Sequence, residues 1–384
     1  MIMNRNIFQS CSDSCGNFSL DNRCSNCLMP EHAVQLTSDK SSCSYCAPKE
    51  KRKDVTVGED FIPNDNRGLT ITDIKAMATS GANRPDKMAG INNQYDCLIG
   101  ITGGRDSTFI LYYVKKILGL NPLAVNFSSI FQTEEARHNM RDATSKLGID
   151  FITYSMDSNY FRKLAQGFFV KYGEFCSPCH KGHHYTLAKF ASDFGIKIII
   201  RGISSKIDLN RMDSKYFNYF CKSEDEFNDR ISNIACEFNI TQEELDRHYK
   251  LNHLQTWKDK SILTIDLPDL LEWQYDDIQK VLNKEFDWRY PNGQFFHCDC
   301  MLNPTLCYQE YCKHGYSEKQ IVISNMLLSK DISLDQGREF LLSEEVSSVP
   351  KNIKEVLKCL DLDRKTFDDV INKFWKKNGE NFDE

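Results

Sequence analysis

The sequence predicts a doubly wound α/β fold, a parallel sheet with helices on both faces, between a cysteine-rich N-terminal segment and a helical C-terminal region. Between residues 97 and 200, short apolar runs alternate with amphipathic segments. Strands alternating with helices of roughly 10–15 residues are typical of βαβ units on a parallel sheet. Residues 1–60 have no long apolar run, so this segment needs a metal or a neighbour to fold.

The predicted elements follow one another along the chain. The apolar runs predict strands at 97–101, 122–127, 151–154 and 196–200. The segments between them predict helices over 107–118, 133–147, 158–172 and 180–194. Gly119 and Gly148 stand where the first two helices would end.

The distribution of apolar, polar and cysteine residues along the chain divides it into six segments. We predict a four-cysteine zinc-ribbon-like segment at 1–60, a linker with one short helix at 61–92, an ATP-binding sheet domain at 93–209, a helical insert or cap at 210–260, a substrate region at 261–345 that is cysteine-rich and then helical, and a polar helical tail at 346–384.

Composition narrows the class of protein. The 384 residues carry a net charge of −6 with a pI near 5.9, which argues against a nucleic-acid binder. No apolar run reaches the roughly 20 residues of a membrane span, and residues 1–11 lack the apolar core of a signal peptide. We therefore expect a cytoplasmic protein, whose 16 cysteines serve as metal ligands, functional thiols or buried apolar groups rather than disulfides.

A phosphate-binding loop is the sharpest feature of the sheet domain. ITGGRDST, residues 101–108, lies between the first predicted strand and the first predicted helix. Two glycines allow a tight turn of inward-pointing N–H groups, and the helix N-terminus adds its positive end. Three side chains of the loop supply hydroxyl donors, and Arg105 supplies a positive charge. A carboxylate beside phosphates needs a cation to be tolerated, so Asp106 indicates Mg²⁺. The predicted ATP ligands of the loop are Thr102, Gly103, Gly104, Arg105, Asp106, Ser107 and Thr108.

The plainer alternative is a Gly-Gly turn followed by a Ser/Asp helix cap. The strand before the loop and the helix after it favour phosphate binding. Neither the Walker pattern nor the dinucleotide pattern occurs. In a doubly wound fold ligands bind at the carboxyl ends of the strands, so Asn126, near the carboxyl end of the second strand, and Gly202, after the fourth strand, are predicted neighbours of the adenosine.

The loop resembles the S-G-G-x-D-S loop of the PP-loop ATP pyrophosphatases. In that family the loop holds the β,γ-pyrophosphate, and ATP is cleaved between its α and β phosphates. Thr102 stands in place of the leading Ser, and Arg105 in place of a frequent Lys. The resemblance implies that Arg105, Asp106 and Ser107 take part in catalysis.

Further motifs narrow the resemblance. RCSNCLMP, NPLAVNF, EFCSPCHKG, HCDC and GREFL, spread over residues 23–345, resemble the N-acetyl sugar amidotransferases of O-antigen and nonulosonate biosynthesis. These ligases turn an acetamido group into an acetamidino group. The resemblance implies ATP with Mg²⁺, an N-acetyl sugar that is nucleotide- or carrier-activated or is a nonulosonate, and ammonia from a separate glutaminase. Ile203 stands where the family often has an acidic residue.

Two cysteine groups have metal-ligand spacing. Cys24, Cys27, Cys43 and Cys46 form two C-x₂-C pairs separated by 15 residues, the pattern of a structural four-thiolate zinc site. Unrelated thiols are the alternative, and Cys11 and Cys15 lie outside the pattern.

The second group starts from Cys176 and Cys179, to which the resemblance adds the distant Cys300. Three thiolates can hold a zinc ion with a fourth ligand, or a [4Fe–4S] cluster with one open iron. A structural knuckle, thiols without metal, and a separate group of Cys298, Cys300, Cys307 and Cys312 remain alternatives.

Three functions are compatible with these motifs. The first is the amidotransferase. The second is a PP-loop sulfurtransferase that makes a thioamide or thionucleoside through the same adenylate and a cysteine-bound cluster. The third is a zinc-ribbon binding protein with a vestigial ATP site.

Overall fold

The computed structural model describes residues 19–46, 68–80, 94–203, 221, 223–247, 261–290, 297–344 and 347–375. Within them the α-helices are α1 (Ile71–Thr79), α2 (Arg105–Tyr112), α3 (Glu134–Leu147), α4 (Ser158–Tyr172), α5 (Cys176–Asp193), α6 (Glu224–Ala235), α7 (Gln242–Arg247), α8 (Tyr275–Glu285), α9 (Asn303–His314), α10 (Glu318–Leu328), α11 (Leu334–Glu344), α12 (Ile353–Leu360) and α13 (Arg364–Val370). Short 3-10 helices lie at Glu31–Ala33 and Leu267–Leu270, and α2 and α13 continue as π-helices over Tyr113–Ile117 and Ile371–Trp375. None of these described helices is long and apolar enough to cross a membrane.

A parallel sheet forms the centre of the fold. Its strands are β1 (Cys97–Gly100), β2 (Pro122–Phe127), β3 (Phe151–Tyr154), β4 (Ile198–Arg201) and β5 (Leu263–Asp266). They are ordered β3-β2-β1-β4-β5, and every pair is parallel. The chain thus reverses its direction of winding between β1 and β4, and the predicted doubly wound fold is confirmed. The crevice for a ligand opens at the carboxyl ends of these two strands.

Alternate residues of the strands enter two separate cores. Ile99 and Ile200 pack with Ile110 of α2 and Leu282 of α8. Leu98, Val125 and Ile199 pack instead with Leu187, Ala188 and Ala191 of α5. Successive side chains of a strand point to opposite faces, so nearly continuous apolar strands are buried on both sides. The sheet is therefore covered by helices on both faces.

The fifth strand was not predicted from the sequence, which assigned no strand to 261–345. Leu263 to Asp266 pair in register with Ile198 to Arg201. The run is four residues long and contains Thr264 and Asp266, so its pattern alone does not separate it from a loop. The open edge of β4 supplies the hydrogen bonds that make it a strand.

The sequence placed the start of α5 four residues too late, at 180 instead of Cys176. The buried Glu174 accounts for the earlier start, because its Oε2 accepts a hydrogen bond from the Ser177 N–H at 2.9 Å. Burial raises the pKa of Glu174, although the hydrogen bonds from Ser177 and the positive charge of Arg230 lower it in part. Cys176 and Cys179 therefore occupy the first turn of a helix.

Helices outside the sheet domain follow the predictions in part. α1 is the short helix expected within 61–92, and α6 and α7 are the helical part of 210–260 that the structure describes. The described part of 346–384 is not simply polar, since Val356, Leu360 and Phe367 are fully buried against α4 in an aromatic-rich core. The polar residues of these short helices occupy only their exposed faces.

The N-terminal cysteine segment docks on α10, a helix buried on most of its surface. The Arg23 guanidinium donates to Gln320 Oε1, and the Tyr45 hydroxyl donates to Asn325 Oδ1 at 2.6 Å. Lys319, Gln320 and Ser324 are buried as well. This helix is therefore held between the cysteine segment and the main core.

Candidate nucleotide and thiol site

The loop from 101 to 108 joins β1 to α2 at the point where the winding reverses. Gly103 has φ +84°, and a Cβ at this position would lie 2.3 Å from the backbone oxygen of Ala136 in α3. No other residue fits here without moving α3. Asn139 Nδ2 donates to Gly103 O at 3.0 Å, while its Oδ1 accepts from Arg289 N–H at 2.8 Å. The sequence did not predict that Asn139 is buried and supports the loop, because an asparagine within a helix is usually an exposed polar residue.

The hydroxyl groups of the loop lie together. Ser107 Oγ is 3.3 Å from Thr102 Oγ1 and accepts from the Thr102 N–H at 3.2 Å. Thr108 Oγ1 donates to Gly104 O at 2.7 Å. These bonds close the loop on the first turn of α2. The loop thus runs directly into the N-terminus of a helix, an arrangement that favours anion binding, and phosphate binding here stays a prediction.

Arg105 faces the interior of the protein. Its side chain is buried, lies 3.9 Å from the centre of the Tyr275 ring, and makes two hydrogen bonds to Asp106, from Nε to Oδ1 at 2.8 Å and from Nη2 to Oδ2 at 3.1 Å. Burial opposes its charge, but Asp106 and Tyr275 outweigh burial and raise the pKa of Arg105. Within this geometry Arg105 orients Asp106, and its contact with phosphate stays a prediction.

The two predicted neighbours of adenosine lie at the carboxyl edge of the sheet. Asn126 Nδ2 donates to Ile101 O at 2.9 Å, while its buried Oδ1 has no hydrogen-bond partner among the described residues. A Cβ at Gly202 would lie 3.4 Å from the Asp106 backbone carbon and 3.5 Å from the Ser107 nitrogen. Both residues therefore border the loop, and their contact with adenosine remains a prediction.

The segment around Cys300 reaches the site by pairing with the chain that follows β2. Cys300 forms an antiparallel bridge with Gln132. The Met301 N–H donates to Phe131 O at 2.8 Å, and the Thr133 N–H donates to Asp299 O at 3.2 Å. This short pairing lies outside the main sheet and fixes residues 299–301 at its carboxyl edge.

The three thiols of the second cysteine group are neighbours. Burial raises the pKa of Cys176 strongly, and the charges of Cys300 and Cys179 raise it further. Burial is also the main reason that the pKa of Cys300 is raised, followed by the charge of Cys179. Within the described residues, the three do not form a group with all sulfurs within 4.8 Å, so their spacing is wider than that of the N-terminal group. Metal binding here remains a prediction.

The alternative group of Cys298, Cys300, Cys307 and Cys312 is not supported by the packing. Cys298 is buried in the core that contains α2 and α8, whereas Cys300 and Cys312 pack against the aromatic-rich core. Burial raises the pKa of Cys298, and its charged neighbours are Asp299, Arg105, Lys319 and Asp106. Cys298 and Cys300 thus face opposite sides of one short segment, each held by a different core.

The start of α5 is anchored by the C-terminal helices. The carbonyl oxygen of Gly173 accepts from Trp375 Nε1 at 2.8 Å and from Gln309 Nε2 at 3.2 Å. Shortly after this residue, Cys176 begins the helix. The position of this cysteine therefore depends on contacts made far along the chain.

Asp299 is a candidate functional residue that sequence reasoning missed. Its Oδ2 lies 3.5 Å from the point that a Cβ on Gly104 would occupy, directly beside the loop. Burial raises the pKa of Cys179 to about 12, and the negative charge of Asp299 contributes to this rise. A hydrogen bond from Ser129 acts in the opposite direction. Burial lowers the pKa of His183, and Asp299 opposes that shift. Asp299 stands in the motif HCDC, whose two cysteines predict metal ligation, and nothing in the local sequence indicates its contact with the loop.

The N-terminal cysteines form the four-thiol group that the sequence predicts. The sulfurs of Cys24, Cys27, Cys43 and Cys46 all lie within 4.8 Å of one another. Cys27 to Cys43 and Cys43 to Cys46 are each 3.6 Å, and Cys24 to Cys46 is 3.7 Å. Four thiolates about 2.3 Å from a zinc ion form a tetrahedron with edges of roughly 3.8 Å. These residues therefore fit a zinc ion with no open position. Cys11 and Cys15 lie outside the described residues.

Comparison with known proteins finds a relative of low sequence identity over a short part of the chain. No protein-family model matches the chain. An uncharacterised protein of Methanocaldococcus jannaschii is 29% identical over 112 residues, which cover 28% of this chain and 38% of that protein. The chain therefore spans well under half of the length of this relative.

Two solved structures are similar to the chain at low sequence identity. A predicted subunit of a tRNA methyltransferase from Methanocaldococcus jannaschii has 15% identity and a TM-score of 0.28, over 49% of this chain and 73% of that one. NMN synthetase from Francisella tularensis has 14% identity and a TM-score of 0.28, over 57% and 95%. Similarity at this level identifies no substrate.

Proposed function

We propose that this chain is an ATP-using enzyme of the PP-loop type that activates a substrate oxygen as its adenylate. The observation that carries the proposal is the place of the loop TGGRDS. It lies between β1 and α2 at the reversal of a β3-β2-β1-β4-β5 sheet, where doubly wound folds bind nucleotides.

The loop residues suit the β,γ-pyrophosphate of ATP. Backbone N–H groups and the α2 N-terminus attract phosphate oxygens, and Gly103 and Gly104 allow close approach of the backbone. Mg²⁺, when bound, would neutralise phosphate charge, and the carboxylate oxygens of Asp106 are ligands that it prefers. Arg105 holds Asp106 in one orientation. The protein would thus act mainly by positioning ATP and by stabilising charge.

For the substrate we propose an N-acetyl sugar, on the resemblance of the motifs. Its acetamido oxygen would attack the α-phosphorus, and the α–β phosphoanhydride bond would break to release pyrophosphate. Ammonia from a partner glutaminase would then add to the activated carbon. Loss of a proton from nitrogen and departure of AMP with the former acetamido oxygen would give the acetamidino group.

An oxygen-labelling experiment tests this reaction. The chain would be incubated with ATP, Mg²⁺, ammonium and candidate sugars that carry ¹⁸O in the acetamido group. We expect sugar-dependent AMP and pyrophosphate in equal amounts, with the label in AMP and the amidine as product. AMP that forms without label would contradict adenylation of that oxygen. Absence of AMP with every acceptor would contradict the proposed enzyme class.

Sulfur transfer is a second candidate because Cys176, Cys179 and Cys300 lie together at the same edge as the loop. Sulfide held by a cluster at these thiols would attack the activated carbon in place of ammonia. A persulfide on one cysteine would attack in the same way, and a second cysteine of the group would then break the S–S bond, release the thio product and leave a disulfide between the two cysteines. The labelled oxygen would again leave in AMP, but the product would contain sulfur. Iron and acid-labile sulfide in anaerobically purified protein would favour this candidate over the amidotransferase.

A further inference from the structure

We propose that Asp299 is a ligand of the divalent cation that accompanies ATP, and so a second acidic residue of the nucleotide site. The inference rests on the proposed function, since it assigns a further residue to the same reaction. The juxtaposition that carries it is Asp299 Oδ2 beside Gly104, 3.5 Å from the position of an added Cβ. Gly104 is the N-cap of α2, where the pyrophosphate is expected.

The backbone on both sides of Asp299 is fixed, so this proximity is built into the fold. The Asp299 carbonyl accepts from Thr133 N–H at 3.2 Å, and the Cys298 carbonyl accepts from Thr133 Oγ1 at 2.8 Å. Cys298 is anchored in one core while Cys300 packs against another. The residue between them therefore has little freedom to leave the loop.

Charge indicates a cation between Asp299 and the phosphates. A carboxylate a few ångströms from a pyrophosphate repels it strongly unless a cation lies between them. The nearest charged side chains of the loop, Arg105 and Asp106, are already paired with each other. Among the described residues, the Asp299 carboxylate makes no hydrogen bond or ion pair of its own. It is therefore available as a ligand.

The chemistry of the ligand selects the kind of cation. Carboxylate oxygen suits hard cations such as Mg²⁺, whereas the neighbouring thiols of Cys179 and Cys300 suit softer metals. Asp299 lies between the loop and these thiols, and its charge acts on Cys179. A magnesium ion at Asp299 would therefore remain on the phosphate side, distinct from any metal at the cysteines.

The test measures cation binding directly, with Mn²⁺ as the probe. Free Mn²⁺ is followed by electron paramagnetic resonance during titration of the full chain, with and without a non-cleavable α,β-methylene analogue of ATP. We expect Asp299→Asn to weaken nucleotide-dependent Mn²⁺ binding about tenfold or more, because a charged oxygen ligand is lost. Binding of the analogue without metal should be unchanged or tighter.

Two variants complete the experiment. Asp193→Asn makes the same change at an exposed aspartate at the end of α5, paired with Lys189 at 2.6 Å, and should bind Mn²⁺ as the wild type does. Asp299→Glu keeps the charge and should retain more binding than Asp299→Asn, provided that both contain the wild-type amount of zinc. Mn²⁺ binding by Asp299→Asn within about twofold of the wild type overturns the proposal, because loss of a true ligand costs more. A wild type without nucleotide-dependent Mn²⁺ binding overturns it as well.

The outcome is separable from that of the proposed function. If Mn²⁺ binding depends on Asp299 but no acceptor yields AMP, the cation site stands and the adenylation reaction is wrong. If labelled AMP forms and Asp299→Asn binds Mn²⁺ normally, the reaction stands and Asp299 is not a ligand.

Discussion

The guanidinium of Arg105 holds both carboxylate oxygens of its neighbour Asp106, with Nε 2.8 Å from Oδ1 and Nη2 3.1 Å from Oδ2. One face of the guanidinium is covered by Tyr275, whose ring centre lies 3.9 Å from Arg105 Cζ. The pair lies in the first turn of α2, directly after the glycines of the predicted phosphate loop. In the sequence, Arg105 was predicted to supply a positive charge and Asp106 to indicate Mg²⁺ as separate groups, but in the structure the two side chains form one unit.

Removing the carboxylate of this unit should stop the reaction. Asp106→Ala leaves Arg105 buried without its anion and deprives the nucleotide cation of a ligand. We expect formation of AMP and pyrophosphate to fall below detection while the circular dichroism spectrum is retained. Asp277→Ala, which removes an exposed aspartate paired with Lys280 at 2.7 Å, is the control and should be fully active. Wild-type turnover by Asp106→Ala would exclude the proposed site.

Replacing Arg105 by lysine should reduce turnover more than its unchanged formal charge suggests. An ammonium group is a point charge and cannot make the two parallel bonds of a guanidinium or stack as a plane on Tyr275. We expect a loss of about tenfold in kcat, which corresponds to about 1.4 kcal/mol. Tyr275→Phe keeps the ring and should change kcat much less. An equal rate for Arg105→Lys and wild type would contradict the orienting role.

Gly103→Ala tests whether the close approach of α3 shapes the loop. The alanine would take a left-handed conformation and meet the Ala136 backbone at 2.3 Å. Gly119→Ala is a matched control, since Gly119 also has positive φ, +70°, but has no atom within 4 Å of an added Cβ. We expect Gly119→Ala to cost about 1–2 kcal/mol of unfolding free energy and Gly103→Ala to cost more and to abolish nucleotide binding. Urea unfolding and a nucleotide titration measure both, and equal behaviour of the two variants would contradict the packing argument.

The N-terminal cysteine group should hold one zinc ion per chain. Cys27→Ser replaces a fully buried thiol and should remove most of this zinc, because serine is a poor ligand for the ion. Faster proteolysis is expected within 19–46, with a smaller effect on the sheet domain. Cys359→Ser, on α12 and outside this group, should retain the zinc. Elemental analysis decides the matter, and unchanged zinc in Cys27→Ser would rule the site out.

The second cysteine group should behave as one site. If Cys176, Cys179 and Cys300 share a metal or a cluster, Cys176→Ser and Cys300→Ser should lose the same metal to the same extent, beyond the zinc of the N-terminal group. Cys236→Ser, at an exposed cysteine, should not change metal content. Loss in Cys176→Ser with full retention in Cys300→Ser would separate Cys300 from the pair. Metal analysis of anaerobically purified protein makes the measurement.

The sequence by itself determined the features that depend on neighbouring residues. The four predicted strands, the loop between β1 and α2 and the spacing of Cys24, Cys27, Cys43 and Cys46 all lie within short stretches of chain. Periodicity, glycine positions and ligand spacing act over such distances, so the four strands were confirmed to within two residues, as were the place of the loop and the grouping of the four thiols. Phosphate binding and zinc binding stay predictions.

Only the tertiary structure decided which distant residues lie beside the loop. β5 became a strand because the edge of β4 offered it hydrogen bonds, and its own residues did not require that. Asp299 came to lie beside Gly104 because its segment pairs with the chain after β2, and Arg105 turned inward because α8 presents Tyr275. The contacts of Asp299 and of Arg105 join residues that are far apart in the sequence, and β5 depends on the open edge of β4. The conformational preference of a short stretch of chain does not depend on such distant partners. Their contacts contribute stabilising free energy only after folding has brought the two segments together.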